Sequence, residues 1–175
     1  MAKYITLPLT EEQILELNAG DIVFLSGEVY TARDAAHKRI VETIKSRQNP
    51  PFEIKDSAIY YAGPTPAKPG MAIGSCGPTS SSRMDDYTPF LLEKGLKVMI
   101  GKGKRSQSVI DSMKKHKAVY LCAVGGAAAL ATKYIKSSQT IAYEDLGTEA
   151  VRKLQIKDFP LIVAIDAKGN SLFDR

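Results

Sequence analysis

The chain has 175 residues, 44% hydrophobic and 25% charged, an ordinary balance for one soluble domain with a single core spanning 1–175. No apolar run approaches the roughly 18 residues of a membrane span, and no signal-peptide core opens the sequence, so a cytoplasmic protein without a membrane partner is expected. The net charge is +5, but only 7% of residues are aromatic and they do not interleave with the basic clusters, so nucleic acid is not expected either.

Thr10 and Gln13 form a capping box for a short helix carrying Ile14, Leu15 and Leu17, which Gly20 ends. Ile22-Val23-Phe24-Leu25 is a continuous apolar run, as in a buried strand. Thr31-Ala32-Arg33-Asp34 reads as a second capping box opening a helix to about Arg47. Residues 33, 37, 40 and 44 share one face of that helix. Ile40 and Ile44 must face the core, so Arg33 and His37 continue the inward stripe while Lys38, Glu42 and Lys45 face water. An inward arginine at a helix N-terminus opposes the helix dipole unless an anion meets it, which makes Arg33 a site candidate.

Asn49-Pro50-Pro51 breaks the chain before a strand over 58–62. Gly63 to Gly70 holds three prolines and two glycines and reads as an ordered surface loop, with a short strand resuming at Met71-Ala72-Ile73. Thr88-Pro89 reads as an N-cap with proline at the first helical position, and Gly95 closes that helix. A strand over 96–100 delivers Gly101-Lys102-Gly103, which lacks the spacing of a Walker motif. A helix from Ser106 to about His116 and a strand over 118–124 follow, with Cys122 read as a core thiol. Gly125-Gly126 starts an alanine-rich helix through Ile135; a strand near 141–143, a helix over 148–154 and a strand over 159–165 come next. Asp166 to Asn170 then turns the chain into Ser171-Leu172-Phe173, a hairpin signal. The pattern is α/β with a parallel or mixed sheet.

The segment from Gly74 to Asp86 carries the most chemistry. It sets a proline-stiffened turn, the hydroxyls of Thr79, Ser80, Ser81 and Ser82, and Arg83 where a strand gives way to a helix. Hydroxyls and free N–H groups beside a guanidinium suit an anion, while plain helix capping is the alternative reading. Two cysteines, Cys76 and Cys122, indicate a reducing compartment and are too few for a four-cysteine zinc or iron–sulfur site. No histidine near Cys76 in sequence would activate its thiol.

Four segments together carry a resemblance. They are Leu25-Ser26-Gly27 through His37, Gly77-Pro78-Thr79 through Asp85, Gly101-Lys102-Gly103 with Arg105-Ser106, and Asp158-Phe159-Pro160 with Asp166 through Asn170. In this order, with Tyr143-Glu144-Asp145-Leu146-Gly147 between the last two, they resemble the β subunit, or C-terminal domain, of class I iron–sulfur fumarases and the related L(+)-tartrate dehydratases. The resemblance implies a swivelling β/β/α three-layer domain and a hydro-lyase acting on a small dicarboxylate. It implies that a partner α subunit carries the [4Fe-4S] cluster, none being bound by this chain alone, and that an α2β2 heterotetramer forms. By similarity Arg33, Arg83 and Lys102 grip substrate oxygens and Thr79 is the catalytic base toward the C3 proton. His37 either bonds a substrate carboxylate, braces Arg33 or is structural. The three serines after Thr79 leave open which hydroxyl handles the proton. Fumarate, tartrate and a methylated fumarate all remain open as substrates, as does a non-catalytic anion-binding module of the same fold.

Overall fold

The computed structural model describes residues 2–123 and 130–174. Among these, the strands are β1 (Ala2–Thr6), β2 (Ile22–Thr31), β3 (Ala58–Tyr60), β4 (Val98–Gly101), β5 (Val119–Ala123), β6 (Ile135–Ala142) and β7 (Val151–Ile165). The helices are α1 (Glu11–Glu16), α2 (Asp34–Lys45), α3 (Thr88–Glu93) and α4 (Gln107–His116). The sheet order is β1-β2-β3-β4-β5-β7-β6, and a further pairing of β2 with β7 closes β2, β3, β4, β5 and β7 into a five-stranded ring. β2 through β5 run parallel, while β7 is antiparallel to both β2 and β5. The result is a mixed α/β domain built around a small barrel.

The central strands are apolar on both faces because each face has a core. Val98 and Ile100 of β4 and Val119 and Leu121 of β5 point into the ring, where they meet Leu154, Phe159 and Leu161 of β7. Met99 and Tyr120 point outward onto Leu91 of α3 and Val109 and Met113 of α4. This is why the parallel strands read as unbroken hydrophobic runs. Pro160, which has no N–H to offer, falls after the β6 ladder ends at Ile156 and before the β5 ladder begins at Leu161.

Several elements depart from the reading of the sequence. β2 runs on to Thr31, so α2 takes Arg33 as its N-cap, with no side-chain cap bond. Thr31 is buried instead, and its hydroxyl accepts from Arg152 N at 3.1 Å. The helix expected over 148–154 is replaced by a 3-10 turn, Glu144–Glu149, and the start of β7. Its helical spacing is overridden by pairing with β2 on one edge and β6 on the other. Met71-Ala72-Ile73 joins no strand, but the loop around it is tied down by Thr65 N donating to Ser75 O at 3.0 Å. β1 carries no sequence signal strong enough to find it, since its burial alternates only between exposed and half-buried. Gly125-Gly126 and the body of the alanine-rich helix lie outside the described residues; where description resumes, Ala131–Tyr134 is a 3-10 turn and Ile135 opens β6.

Phe159 is the central aromatic of the ring, fully buried, stacked on Tyr134 at 5.6 Å and edge-on to Tyr60 at 5.9 Å. Phe159→Ala should cost about 3–5 kcal/mol in urea unfolding, because three elements converge on it and none can collapse alone. A loss under 1 kcal/mol would show that the barrel interior is not a close-packed core.

Candidate active site at the carboxyl ends of the parallel strands

Three parallel strands end on one rim, and a candidate residue is held beside the end of each. Beyond the end of β2, Ala32 N donates to Tyr60 O at 3.1 Å and places Arg33 beside β3. Beyond β3, Tyr61 O accepts from Thr79 N at 2.7 Å. Beyond β4, Lys102 O accepts from Ser81 N at 2.9 Å, and Ser80 bridges Lys102 in parallel register. The 79–81 segment therefore lies across the ends of β3 and β4, bringing Arg33, Thr79 and Lys102 to the same edge. Arg83 follows on the exposed side of a 3-10 turn, Ser81–Met84, whose end residues are buried. Parallel sheets bind their ligands at this end. A cavity of about 330 Å³ opens beside Lys102, with Pro78, Gly103 and Phe173 in its wall.

The hydroxyl run is not a capping motif. The N-cap position of the 3-10 turn belongs to Ser80, which makes no side-chain cap bond. Thr79 stands one residue outside the turn and is half-buried, and among the described residues its hydroxyl makes no hydrogen bond. Ser81 is fully buried and committed, its Oγ 2.7 Å from the Tyr120 hydroxyl. Ser82 is exposed. A Cβ on Gly101 would stand 2.0 Å from Ser81 Oγ, so only glycine lets the segment close onto β4.

Beneath the segment lies a buried cation. The Arg105 side chain is 0% exposed. Its Nε donates to Asp85 Oδ1 at 2.8 Å, and its Nη2 donates to Thr88 Oγ1 at 2.9 Å and to the Tyr61 hydroxyl at 3.2 Å. The guanidinium carbon is 5.1 Å from the Tyr61 ring centroid and 4.9 Å from that of Tyr120. Asp85 Oδ2 accepts from Ser106 N at 2.9 Å, which fastens the segment to the start of α4. Burial alone would lower the Arg105 pKa, yet Tyr61 and Asp85 hold it above its ordinary value. Both partners stand inside the sequence segments already singled out, but twenty positions separate them and no spacing rule links them. Thr88 is the first residue of α3 rather than its cap, and its hydroxyl donates to Met84 O at 2.7 Å.

His37 is fully buried and packs edge-on to Tyr61, with ring centroids 5.4 Å apart. Its Nδ1–H donates to Arg33 O at 2.8 Å, which leaves Nε2 buried and, among the described residues, without a partner. Burial, with the Arg105 charge adding to it, pushes the imidazole down to about 4, against a smaller opposing pull from the Arg33 carbonyl. The ring is therefore neutral near pH 7 and holds the Arg33 main chain. The two cysteines do not fit an iron–sulfur cluster. Cys76 belongs to the core inside the ring and Cys122 packs against the core outside it, and burial pushes the Cys76 thiol up to about 12. Among the described residues no three His, Cys, Asp or Glu side chains gather as a metal site.

A five-stranded barrel with α2, α3 and α4 packed on its outer face and Arg33, Arg83 and Lys102 near the ends of its parallel strands defines a small mixed α/β domain with a cationic rim. The family described as Fumarase C-terminus matches it over residues 2–175, and the chain belongs to that family. It is 43% identical over 153 residues to the aerobic class I fumarate hydratase of Escherichia coli K12, covering 86% of this chain and 28% of that protein. Fumarate hydratase 2 of Leishmania major is 40% identical over 166 residues, covering 94% of this chain and 29% of that protein. A protein of Methanocaldococcus jannaschii named "Putative L(+)-tartrate dehydratase subunit beta" is 39% identical over 172 residues, covering 95% of this chain and 88% of that one. The chain thus spans less than a third of these fumarate hydratases and most of the archaeal subunit.

The buried histidine gives a pH test. Its folded pKa of about 4 lies below the ordinary value of about 6.5 for an unfolded chain, so between these the unfolded state binds a proton that the native state does not. The His37 contribution is complete above pH ~6.5 and is lost as pH falls toward 4. Measured by urea unfolding, the stability of the wild type relative to His37→Gln should fall by roughly 3 kcal/mol between pH 7 and pH 4. Parallel stability curves for the two proteins would show that His37 titrates as a solvated group.

Proposed function

We propose that this chain is the β subunit of a two-subunit class I type hydro-lyase that reversibly hydrates fumarate to (S)-malate. The carrying observation is that Arg33, Thr79 and Lys102 are held at one rim, beside the ends of three successive parallel strands, in a chain of the fumarase C-terminal family. In this reading the site is completed by an α subunit holding a [4Fe-4S] cluster, in a cytoplasmic α2β2 heterotetramer. When bound there, the cluster supplies a Lewis acid toward the substrate. The two walls of the barrel and the helices on its outer side would then make up the three layers of a swivelling β/β/α domain, spanning 1–175 as one unit. A second reading is the β subunit of an L(+)-tartrate dehydratase, favoured by the 88% coverage of the archaeal subunit. Loss of catalysis, leaving an anion-binding module, is the alternative outside the enzyme class.

The chain's own residues have separable tasks. The guanidiniums of Arg33 and Arg83 match a carboxylate with two parallel N–H donors, and Lys102 adds a point charge. Holding both carboxylates fixes the double bond against the Thr79 hydroxyl, which moves the proton at C3. An isolated threonine is too weak an acid to ionise. Nearby cations lower that cost by stabilising the alkoxide, and they act more strongly in a site closed to water. His37, buried behind Arg33, bears on this chemistry through the Arg33 main chain.

Purified without oxygen and supplied with iron and sulfide, the isolated chain should show no charge-transfer absorption and no hydratase activity, because two cysteines in separate cores cannot ligate a cluster. A cluster spectrum from this chain alone would overturn the division of labour.

In the assembled enzyme, Thr79→Ala should lower kcat by roughly 10²–10⁴ with little change in KM, while Thr79→Ser stays near the wild type. Arg83→Lys should mainly raise KM, since a fork becomes a point charge. Near-normal turnover of Thr79→Ala would move the proton step to Ser80, Ser82 or the partner's wall, because Ser81 is held by Tyr120.

A further inference from the structure

Arg33 stands at the N-cap of α2, where the positive end of the helix repels a guanidinium. Two carboxylates meet it on one edge: Asp34 Oδ1 lies 3.9 Å and Glu149 Oε1 3.8 Å from its Nε. All three atoms are buried, and among the described residues none has a hydrogen-bond partner. The contact is therefore ionic attraction across a short gap, in a place where charge is poorly screened. The Arg33 side chain as a whole is still 26% exposed. With Nε buried, that exposure falls toward the two terminal nitrogens, which make no hydrogen bond among the described residues.

The stem of Arg33 is enclosed as well. A Cβ on Gly63 would stand 3.1 Å from Arg33 Cδ and 2.8 Å from Thr148 O, so the bare glycine allows the chain carrying Thr148 and Glu149 to close over the stem. That chain is docked independently of the rim. Arg39 Nη1 donates to Asp145 Oδ1 at 2.8 Å, its Nη2 bonds the second carboxylate oxygen, and its guanidinium carbon lies 5.3 Å from the Tyr143 ring centroid. Glu149 follows the clip at Asp145 past a kink at Gly147, where the backbone leaves helical geometry (φ 62°), while Asp34 and His37 hold Arg33 from α2 itself.

We propose that Glu149 is a positioning residue for substrate binding: it draws the Arg33 Nε edge inward against the helix dipole and leaves the two terminal nitrogens aimed outward as a carboxylate fork. This rests on the reading of the rim as a dicarboxylate site. Asp34 alone cannot do the same work, because it lies beside Arg33 in sequence and approaches from the helix side only. The carboxylate of Glu149 also offsets the Arg33 charge, so Arg33 selects geometry more than it attracts anions.

Two measurements test this, one independent of turnover. In a ¹H–¹⁵N correlation of arginine Nε–H groups on the full chain, the Arg33 signal, assigned with Arg33→Lys, should exchange slowly with water. Glu149→Ala should speed that exchange at least tenfold, and Glu149→Gln, which keeps an oxygen near Nε, should fall between. In the assembled enzyme Glu149→Ala should raise KM about tenfold with kcat within about twofold of the wild type. Unchanged exchange in Glu149→Ala overturns the proposal, as does an unchanged or lower KM in an active enzyme. An inactive wild-type complex with the exchange result intact would instead sink the dicarboxylate reading while leaving the Glu149–Arg33 contact standing.

Discussion

The buried Arg105–Asp85 pair is the contact on which the rim depends. Taking a guanidinium out of water costs several kcal/mol, and the structure recovers it through fitted geometry: one carboxylate, two hydroxyls and two aromatic faces surround a single planar group. Lysine could not meet that many partners in one plane. Each partner belongs to a different element, with Tyr61 beyond β3, Asp85 after the 3-10 turn, Thr88 opening α3 and Tyr120 in β5. The arginine therefore fixes the position of the 81–88 segment relative to the barrel wall. Removing one partner would leave a buried charge unpaired, a loss of about 3–5 kcal/mol that falls on the support of Thr79 and Arg83.

Hydroxyl chemistry on the rim is sorted by the same support. Tyr120 holds Ser81 from below and donates to Gly103 O at 2.8 Å, so one phenol ties both sides of the β4 turn. Gly101 permits this by having nothing where Ser81 Oγ must lie. With Ser81 used for structure, Thr79 is left half-buried next to the strand end with its hydroxyl unengaged. Among the described residues that hydroxyl caps nothing, and the backbone N–H of Thr79 fixes its position by donating to Tyr61 O, the preorganisation that the proposed proton transfer needs.

Sequence legibility followed the reach of each signal. The buried parallel strands could be read because both faces meet apolar cores, and α1 could be read because Thr10 and Gln13 cap it reciprocally within one turn. The first half of β7 misled, since Val151 and Leu154 sit at helical spacing and only the ladders with β2 and β6 make them a strand. Closure of the barrel was equally hidden: it rests on β2 pairing with a strand more than a hundred residues away. At the rim, Arg33, Thr79, Arg83 and Lys102 were visible as residue types in quoted segments, two of them directly after strands. Arg105 stood in a quoted segment too, but without a role. Nothing local distinguishes a solvated arginine from one whose carboxylate partner is twenty positions away.

The rim divides attraction from orientation. Arg33 faces two carboxylates and lies at the positive end of a helix, so its charge is largely spoken for. Arg83 and Lys102 are exposed, and among the described residues neither enters an ion pair. On a chain of net charge +5, those two supply the local field that an incoming dianion feels. Such long-range pull is screened over roughly 8 Å at physiological salt, whereas a fork held by buried carboxylates acts at contact and is hardly screened. Anion capture at this rim should therefore weaken with ionic strength through Arg83 and Lys102, while the geometry imposed by Arg33 persists. In the proposed dicarboxylate site, salt would govern how often substrate arrives, and the buried side of the barrel would govern how it lies once there.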